Sequence, residues 1–217
     1  MGKPKTFICT IPFQGKDRNG DDGLKPITYE PSGNTRLAYG VTRFPIIPVI
    51  NGYAEKGDKI RVIAILTDGP NYKYNYETYF APEVTALANS NGYEFDGIEV
   101  VETSSSEDIS SQLSLFANLL DRIKDGEDLY ACITYGTKPT PIVQSMALSY
   151  AYRLKKDTSV GCVVYGLFRH NSPTGTLYDT TALFYMDSIV NKLAEMKAPN
   201  PEEAIRAILG IGGNEDD

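Results

Sequence analysis

The sequence predicts an α/β protein with a Rossmann-like, doubly wound and mainly parallel sheet, helices on both faces and a β-hairpin insertion after the first strand. Three observations carry this. Short, continuously apolar runs recur, as fully buried parallel strands require. Amphipathic helical stretches separate them, so strand and helix alternate and the connections are crossovers. The 217 residues, 41% of them hydrophobic, are enough for one layered core.

The first run is Thr6 to Ile11, Thr-Phe-Ile-Cys-Thr-Ile. A long polar insertion follows, from Pro12 to about Gly40. Within it Ile27 to Glu30 and Thr35 to Tyr39 flank Pro31-Ser32-Gly33-Asn34, the pattern of a β-hairpin and a candidate lid or ligand loop. Thr42 is placed to cap a short helix that holds Pro45 and Pro48 in its opening turns and ends at Gly52. Lys59 to Leu66 is the second buried strand, and a helix near Tyr76 to Ala88 follows it. Gly97 to Glu102 reads as a strand. A helix then starts at Ser106 or Asp108 and runs to Gly126, with Ile109, Leu113, Phe116, Leu120 and Ile123 expected on its inner face.

Leu129 to Ile133 is a buried strand that runs into Thr134-Tyr135-Gly136-Thr137-Lys138-Pro139-Thr140, and a helix continues to about Arg153. On that helix Ile142, Val143, Met146, Ala147, Tyr150 and Leu154 are expected to face inward. Val160 to Phe168 is another buried strand. Leu177 to Thr180 reads as a short edge strand, followed by helices over Leu183 to Met196 and Pro201 to Leu209. In such sheets ligands sit at the carboxyl ends of the strands, which puts the loops after Ile11, Leu66, Ile133 and Phe168 on one rim.

Composition narrows the chemistry. With 21 Lys and Arg against 28 Asp and Glu the net charge is −7, which disfavours broad DNA or RNA binding because that requires a basic face. A small anion is still accommodated by a local nest of N–H donors. No run of 18 apolar residues and no signal-peptide core occurs, so no membrane partner and a cytoplasmic location are expected. Cys9, Cys132 and Cys162 lie within apolar runs without ligand spacing, and neither a disulfide, a metal nor a cofactor is expected.

The strongest local signal is the strand-to-helix turn at Gly136-Thr137-Lys138. Backbone N–H groups, the positive end of a helix and one lysine suit a phosphate there. It is neither a Walker loop nor a dinucleotide fingerprint, since GxxxxGK[ST] and GxGxxG are both absent. Thr134, Thr137 and Thr140 add hydroxyls. On the same rim Thr10-Ile11-Pro12-Phe13-Gln14-Gly15 offers a hydroxyl, an amide and a glycine. His170, the only histidine, follows a buried strand, and Asp17, Asp21 and Asp22 read as solvated loop. Tyr29, Tyr39, Tyr135 and Tyr178 are placed to stack on a base.

Together, the first strand with its loop and excursion (Tyr29, Gly33-Asn34, Thr42-Arg43-Phe44) and Thr134-Tyr135-Gly136-Thr137-Lys138-Pro139 resemble the CRISPR-associated Rossmann-fold (CARF) sensor domains of type III CRISPR systems. The resemblance runs from about Lys5 to Met196. It implies binding of a cyclic oligoadenylate across a homodimer, held by Thr10, Ile11, Pro12, Phe13 and Gln14 and by Thr134 through Thr140. A two-fold dimer suits a ring of four or six nucleotides. It also implies a sensor domain over residues 1–197, with 198–217 as a short helix and acidic tail and no separate effector. The readings left open are a sensor for a separate effector protein, a truncated sensor, or a metal-independent ring nuclease. In the last, Lys138 would stabilise charge and Thr10 or Thr137 would orient the ribose. A nucleotide-dependent enzyme on the same sheet is the alternative.

Overall fold

The computed structural model describes residues 2–15, 20, 23–168 and 172–210. Two compact units are present, Met1–Thr180 and Thr181–Asp217. The first contains one sheet of eight strands: β1 (Lys5–Thr10), β2 (Ile27–Ser32), β3 (Val41–Thr42), β4 (Lys59–Thr67), β5 (Glu94–Thr103), β6 (Asp128–Cys132), β7 (Ser159–Phe168) and β8 (Thr174–Asp179). Their spatial order is β3-β2-β8-β7-β6-β1-β4-β5. β1, β4, β5, β6 and β7 run parallel, whereas β8 is antiparallel to β7 and β3 antiparallel to β2.

Along each central strand alternate side chains enter different cores, because successive residues point to opposite faces. On one face Phe7, Cys9 and Ile11 of β1 join Val62 and Ala64 of β4 and Cys132 of β6 in a single apolar cluster. Helix α1 (Ile46–Tyr53) covers it together with the helical run from α2 (Pro70–Asn75) through a π-helical turn at Tyr76–Phe80 into α3 (Ala81–Asn91). Phe44 meets Phe80 edge-on at 4.9 Å, and Phe7 stacks on Tyr130 at 4.9 Å. The opposite face buries Ile8, Ile63, Ile65, Leu129 and Ala131, and against it lie α4 (Ile109–Arg122) and α5 (Thr140–Leu154), packed side by side.

This second face is more polar. Arg61, buried among its apolar neighbours, donates from Nε and Nη2 to the two carboxylate oxygens of buried Glu127 at 2.9 and 2.7 Å. It also reaches the Arg122 carbonyl, fixing the carboxyl end of α4 to the sheet. Thr6, Thr10, Gln112 and Gln144 are buried too. Among the described residues the Oγ atoms of Thr6 and Thr10, Oε1 of Gln112 and both amide atoms of Gln144 have no hydrogen-bond partner.

Several expectations are corrected. The inner face of α4 is Gln112, Leu115 and Leu119 with Ile123 just beyond, while Ile109 and Leu113 are exposed. On α5 the buried residues are Thr140, Val143, Gln144, Ala147, Leu148 and Ala151, and Ile142, Met146 and Leu154 face solvent. Val143, Ala147 and Ile123 are buried as expected; these helices carry apolar residues on more than one side, so periodicity found a stripe that mixes inner and outer positions.

The antiparallel excursion after β1 forms, yet its second arm is Val41–Thr42 and not Thr35–Tyr39. Thr35–Leu37 is a 3-10 turn because the Asn34 side chain accepts from the Arg36 N–H and donates to Tyr53 and Asp179. Thr42 belongs to β3 and does not cap α1, whose first residue follows Pro45. β8 is interior, between β7 and β2, because β2 joins the main sheet by parallel pairing. Asp17, Asp21, Asp22, His170 and the acidic tail lie outside the described residues.

The second unit contains α6 (Thr181–Glu195) and α7 (Pro201–Leu209), which contact each other. No helix among the described residues is long and apolar enough to cross a membrane.

Candidate functional site

The strand order reverses beside β1, which has β4 on one side and β6 on the other, and ligands of doubly wound sheets occupy the crevice there. Both elements singled out in the sequence flank this point. β1 leads into Pro12-Phe13-Gln14, and β6 leads into Thr134-Tyr135-Gly136.

The first loop is held from below. Buried Asn75, at the end of α2, donates from Nδ2 to the carbonyls of Pro12 and Gln14, both at 2.9 Å. Ile11 extends the ladder by donating its N–H to the Ile65 carbonyl at 2.9 Å. That anchoring projects the Phe13 ring outward, tilted against Tyr72 at 5.3 Å. Gln14 lines the crevice, and its Oε1 has no hydrogen-bond partner among the described residues.

The second loop is tied to β7. Thr134 Oγ1 accepts from the Gly166 N–H at 2.8 Å, so this hydroxyl splices two strand ends and is committed to structure. The Tyr135 ring lies 6.0 Å from Phe168, while its hydroxyl is 3.5 Å from that of Tyr29. Burial pushes the Tyr135 phenol well above its ordinary pKa, so it stays a neutral donor. Gly136 has φ +113°, and a Cβ there would fall 2.7 Å from Cβ of Thr140, so only glycine fits the turn.

At the start of α5 the donors differ from expectation. The N–H groups of Thr140, Ile142 and Val143 already bond to carbonyls of Thr137 and Pro139, and Pro141 has no N–H. Among the described residues the amides of Gly136, Thr137 and Lys138 meet no backbone acceptor. The free donors are therefore in the turn itself. Thr137 and Thr140 pair through their hydroxyls at 3.0 Å, and Lys138 is exposed, with no ion pair among the described residues.

Between the loops is a cavity of about 300 Å³. Its walls are Phe13 and Gln14, Tyr72, Thr134 to Gly136, and Tyr165 to Phe168. None of these side chains is charged. Ile11, Pro12, Thr137, Lys138, Pro139 and Thr140 do not line it, and Thr10 is buried beneath it in the sheet. Tyr29 is buried in the core, where it cannot stack on a ligand.

Sequence reasoning missed Tyr72, Asn75 and Tyr165 to Phe168. The last group was readable in principle, since two aromatics at the carboxyl end of a strand on the expected rim are an uneconomical way to finish a core strand. Among the described residues no group of acids, cysteines or histidines is arranged to hold a metal.

The sheet topology defines the Rossmann-like, doubly wound class of α/β folds. No protein-family profile matches the chain, and no curated protein is similar to it.

Proposed function

We propose that this crevice binds a cyclic oligoadenylate of four or six nucleotides, held between two copies of the chain, as part of type III CRISPR antiviral signalling. The observation that carries the reading is the meeting of the first-strand loop and the Gly136 turn in one uncharged, aromatic-walled cavity at the reversal of strand order. Flat bases stack on Phe13, Tyr72, Tyr135, Tyr165 and Phe168, which tolerate any π-face. The phosphates remain outside the cavity, over the free amides of Gly136 to Lys138 and beside the Lys138 ammonium. An acidic protein binds a polyanion in this way because only the local donors matter.

Titration calorimetry with cyclic tetra-adenylate and cyclic hexa-adenylate, with ATP and NAD as comparison ligands, tests this. Saturable heat with one ring and none with ATP or NAD is expected. Heat with ATP or NAD alone would make the protein a nucleotide-dependent enzyme instead. Lys138→Ala is expected to weaken ring binding by about 1.5 kcal/mol, roughly tenfold, the low end for a charged hydrogen bond because this ammonium is exposed. Chromatography of the ring after incubation in EDTA reads cleavage directly: linear products identify a metal-independent ring nuclease, and intact ring identifies a sensor.

A further inference from the structure

We propose that a second cavity, between the β2–β3 excursion and α3, binds a small zwitterion of the α-amino-acid type, with its carboxylate on the Arg43 guanidinium and its ammonium on the Glu83 carboxylate. This cavity shares no lining residue with the crevice, and the proposal is independent of what the crevice binds.

The cavity measures about 610 Å³, within the range of small-ligand sites. Thr42 and Arg43, at the outermost strand of the sheet, belong to one wall, and Tyr79, Glu83 and Ala86 belong to the other. Tyr39, expected on the rim of the crevice, lines this cavity instead. Tyr79 is part of the π-helical turn Tyr76–Phe80, a rare geometry that recurs at functional sites. The long excursion after β1 and the irregular turn before α3 therefore meet at the same place.

Two opposite charges face each other across this space, each held in position and each without a salt-bridge partner. The Arg43 guanidinium carbon lies 4.3 Å from the centre of the Tyr79 ring, and its Nε donates to the Leu24 carbonyl at 3.2 Å. Glu83 accepts from the Thr42 hydroxyl and from the Arg43 N–H. Neither Arg43 nor Glu83 forms an ion pair among the described residues. Burial raises the Glu83 carboxyl above its ordinary pKa of 4.5, so its two hydrogen bonds and the nearby guanidinium do not replace the water it has lost.

This pair of charges selects the ligand. Apart from tyrosine phenols, Arg43 and Glu83 are the ionisable side chains lining the cavity. A simple carboxylate drawn to Arg43 meets the Glu83 carboxylate, and a simple amine drawn to Glu83 meets the guanidinium. A neutral molecule takes water from both charges and compensates neither. A molecule with both charges satisfies both groups, and an α-amino acid carries its ammonium and carboxylate on one carbon. The Nη edge of the Arg43 guanidinium matches a carboxylate in two parallel N–H···O bonds. The rest of the volume is left for the amino-acid side chain.

The test is thermal melting of the whole protein with each of the twenty L-amino acids, titrated to about 10 mM. At least one is expected to raise the melting temperature along a saturating curve. The amide of that amino acid, which keeps only the ammonium, and its N-acetyl form, which keeps only the carboxylate, should each bind at least about tenfold more weakly. Glu83→Gln can still accept from Thr42 and Arg43 and should fold, yet it should also lose at least about tenfold in affinity. Ala86→Phe, at an exposed position on α3, fills the cavity without removing either charge and should abolish the saturating response. The proposal is overturned if no L-amino acid gives such a curve, if the amide or the N-acetyl form binds as tightly as the parent, or if Glu83→Gln or Ala86→Phe binds as tightly as the unmodified protein.

Discussion

The two faces of the sheet are covered by helices in the same number of layers, but they are built differently. On the α1/α3 face aromatic and branched side chains form one continuous cluster in which Phe7, Phe44, Phe80 and Tyr29 are essentially without solvent contact. On the α4/α5 face the buried residues include Arg61, Glu127, Gln112, Gln144, Thr6 and Thr10, and several of their polar atoms have no partner. Burying a polar group without a hydrogen bond is costly, so the second face contributes less stability for the area that it covers. The difference assigns the faces separate duties. One holds the sheet together, and the other carries the helix whose first residues form the rim.

Phe80→Ala should do the most damage, because it opens a cavity in the aromatic cluster and removes the edge-on contact to Phe44. A loss of about 3–5 kcal/mol in urea unfolding is expected. A loss under about 1 kcal/mol would break the distinction between the faces.

Gln144→Met tests the other side. It keeps side-chain volume while removing an amide that has no partner, and a gain of about 1 kcal/mol is expected. Destabilisation by a similar amount would show that Gln144 is satisfied in solution and that the second face is as well packed as the first.

A smaller effect should come from Glu83, at the margin of the first face. Burial raises the pKa of its carboxyl above the ordinary 4.5, and the Thr42 hydroxyl and the charge and N–H of Arg43 only partly offset this. A raised carboxyl pKa means that the folded state binds the proton more tightly than the unfolded chain. The contribution of Glu83 is therefore full below pH 4.5 and is lost as pH rises through the higher folded value. Thermal melts of Glu83→Gln and the unmodified protein from about pH 4 to about pH 7 should show the variant gaining relative stability as pH rises. Parallel curves would remove this carboxyl from the pH response.

How much of this was legible before the coordinates follows from the same contrast. The central strands were readable because residues such as Ile60 to Leu66 are buried on both sides, so their apolar character is continuous and requires no choice of face. The crossovers and the rim shared by the strand ends followed from that. The faces of α4 and α5 were only partly readable: Val143, Ala147 and Ile123 point inward as expected, but Ile142 and Met146 are as apolar as Val143 and Leu148, and only the tertiary fold decides which row meets the sheet. β8 was read as a short edge strand, and its interior place was hidden because it depends on β2, far away in the chain, pairing with its free side. The site was half visible. Glycine, lysine and threonine announce a turn, whereas Tyr72 looks like an ordinary member of a helix until the topology brings it to the wall that Tyr165 and Phe168 share.

The position of β1 has a consequence for how the molecule is made. This strand precedes both of its neighbours in the chain, and the second of them, β6, lies more than a hundred residues downstream. During synthesis one edge of this apolar strand can pair with β4 early, but the other stays open until β6 has emerged. Such a delay favours slow, late closure and exposure to chaperones.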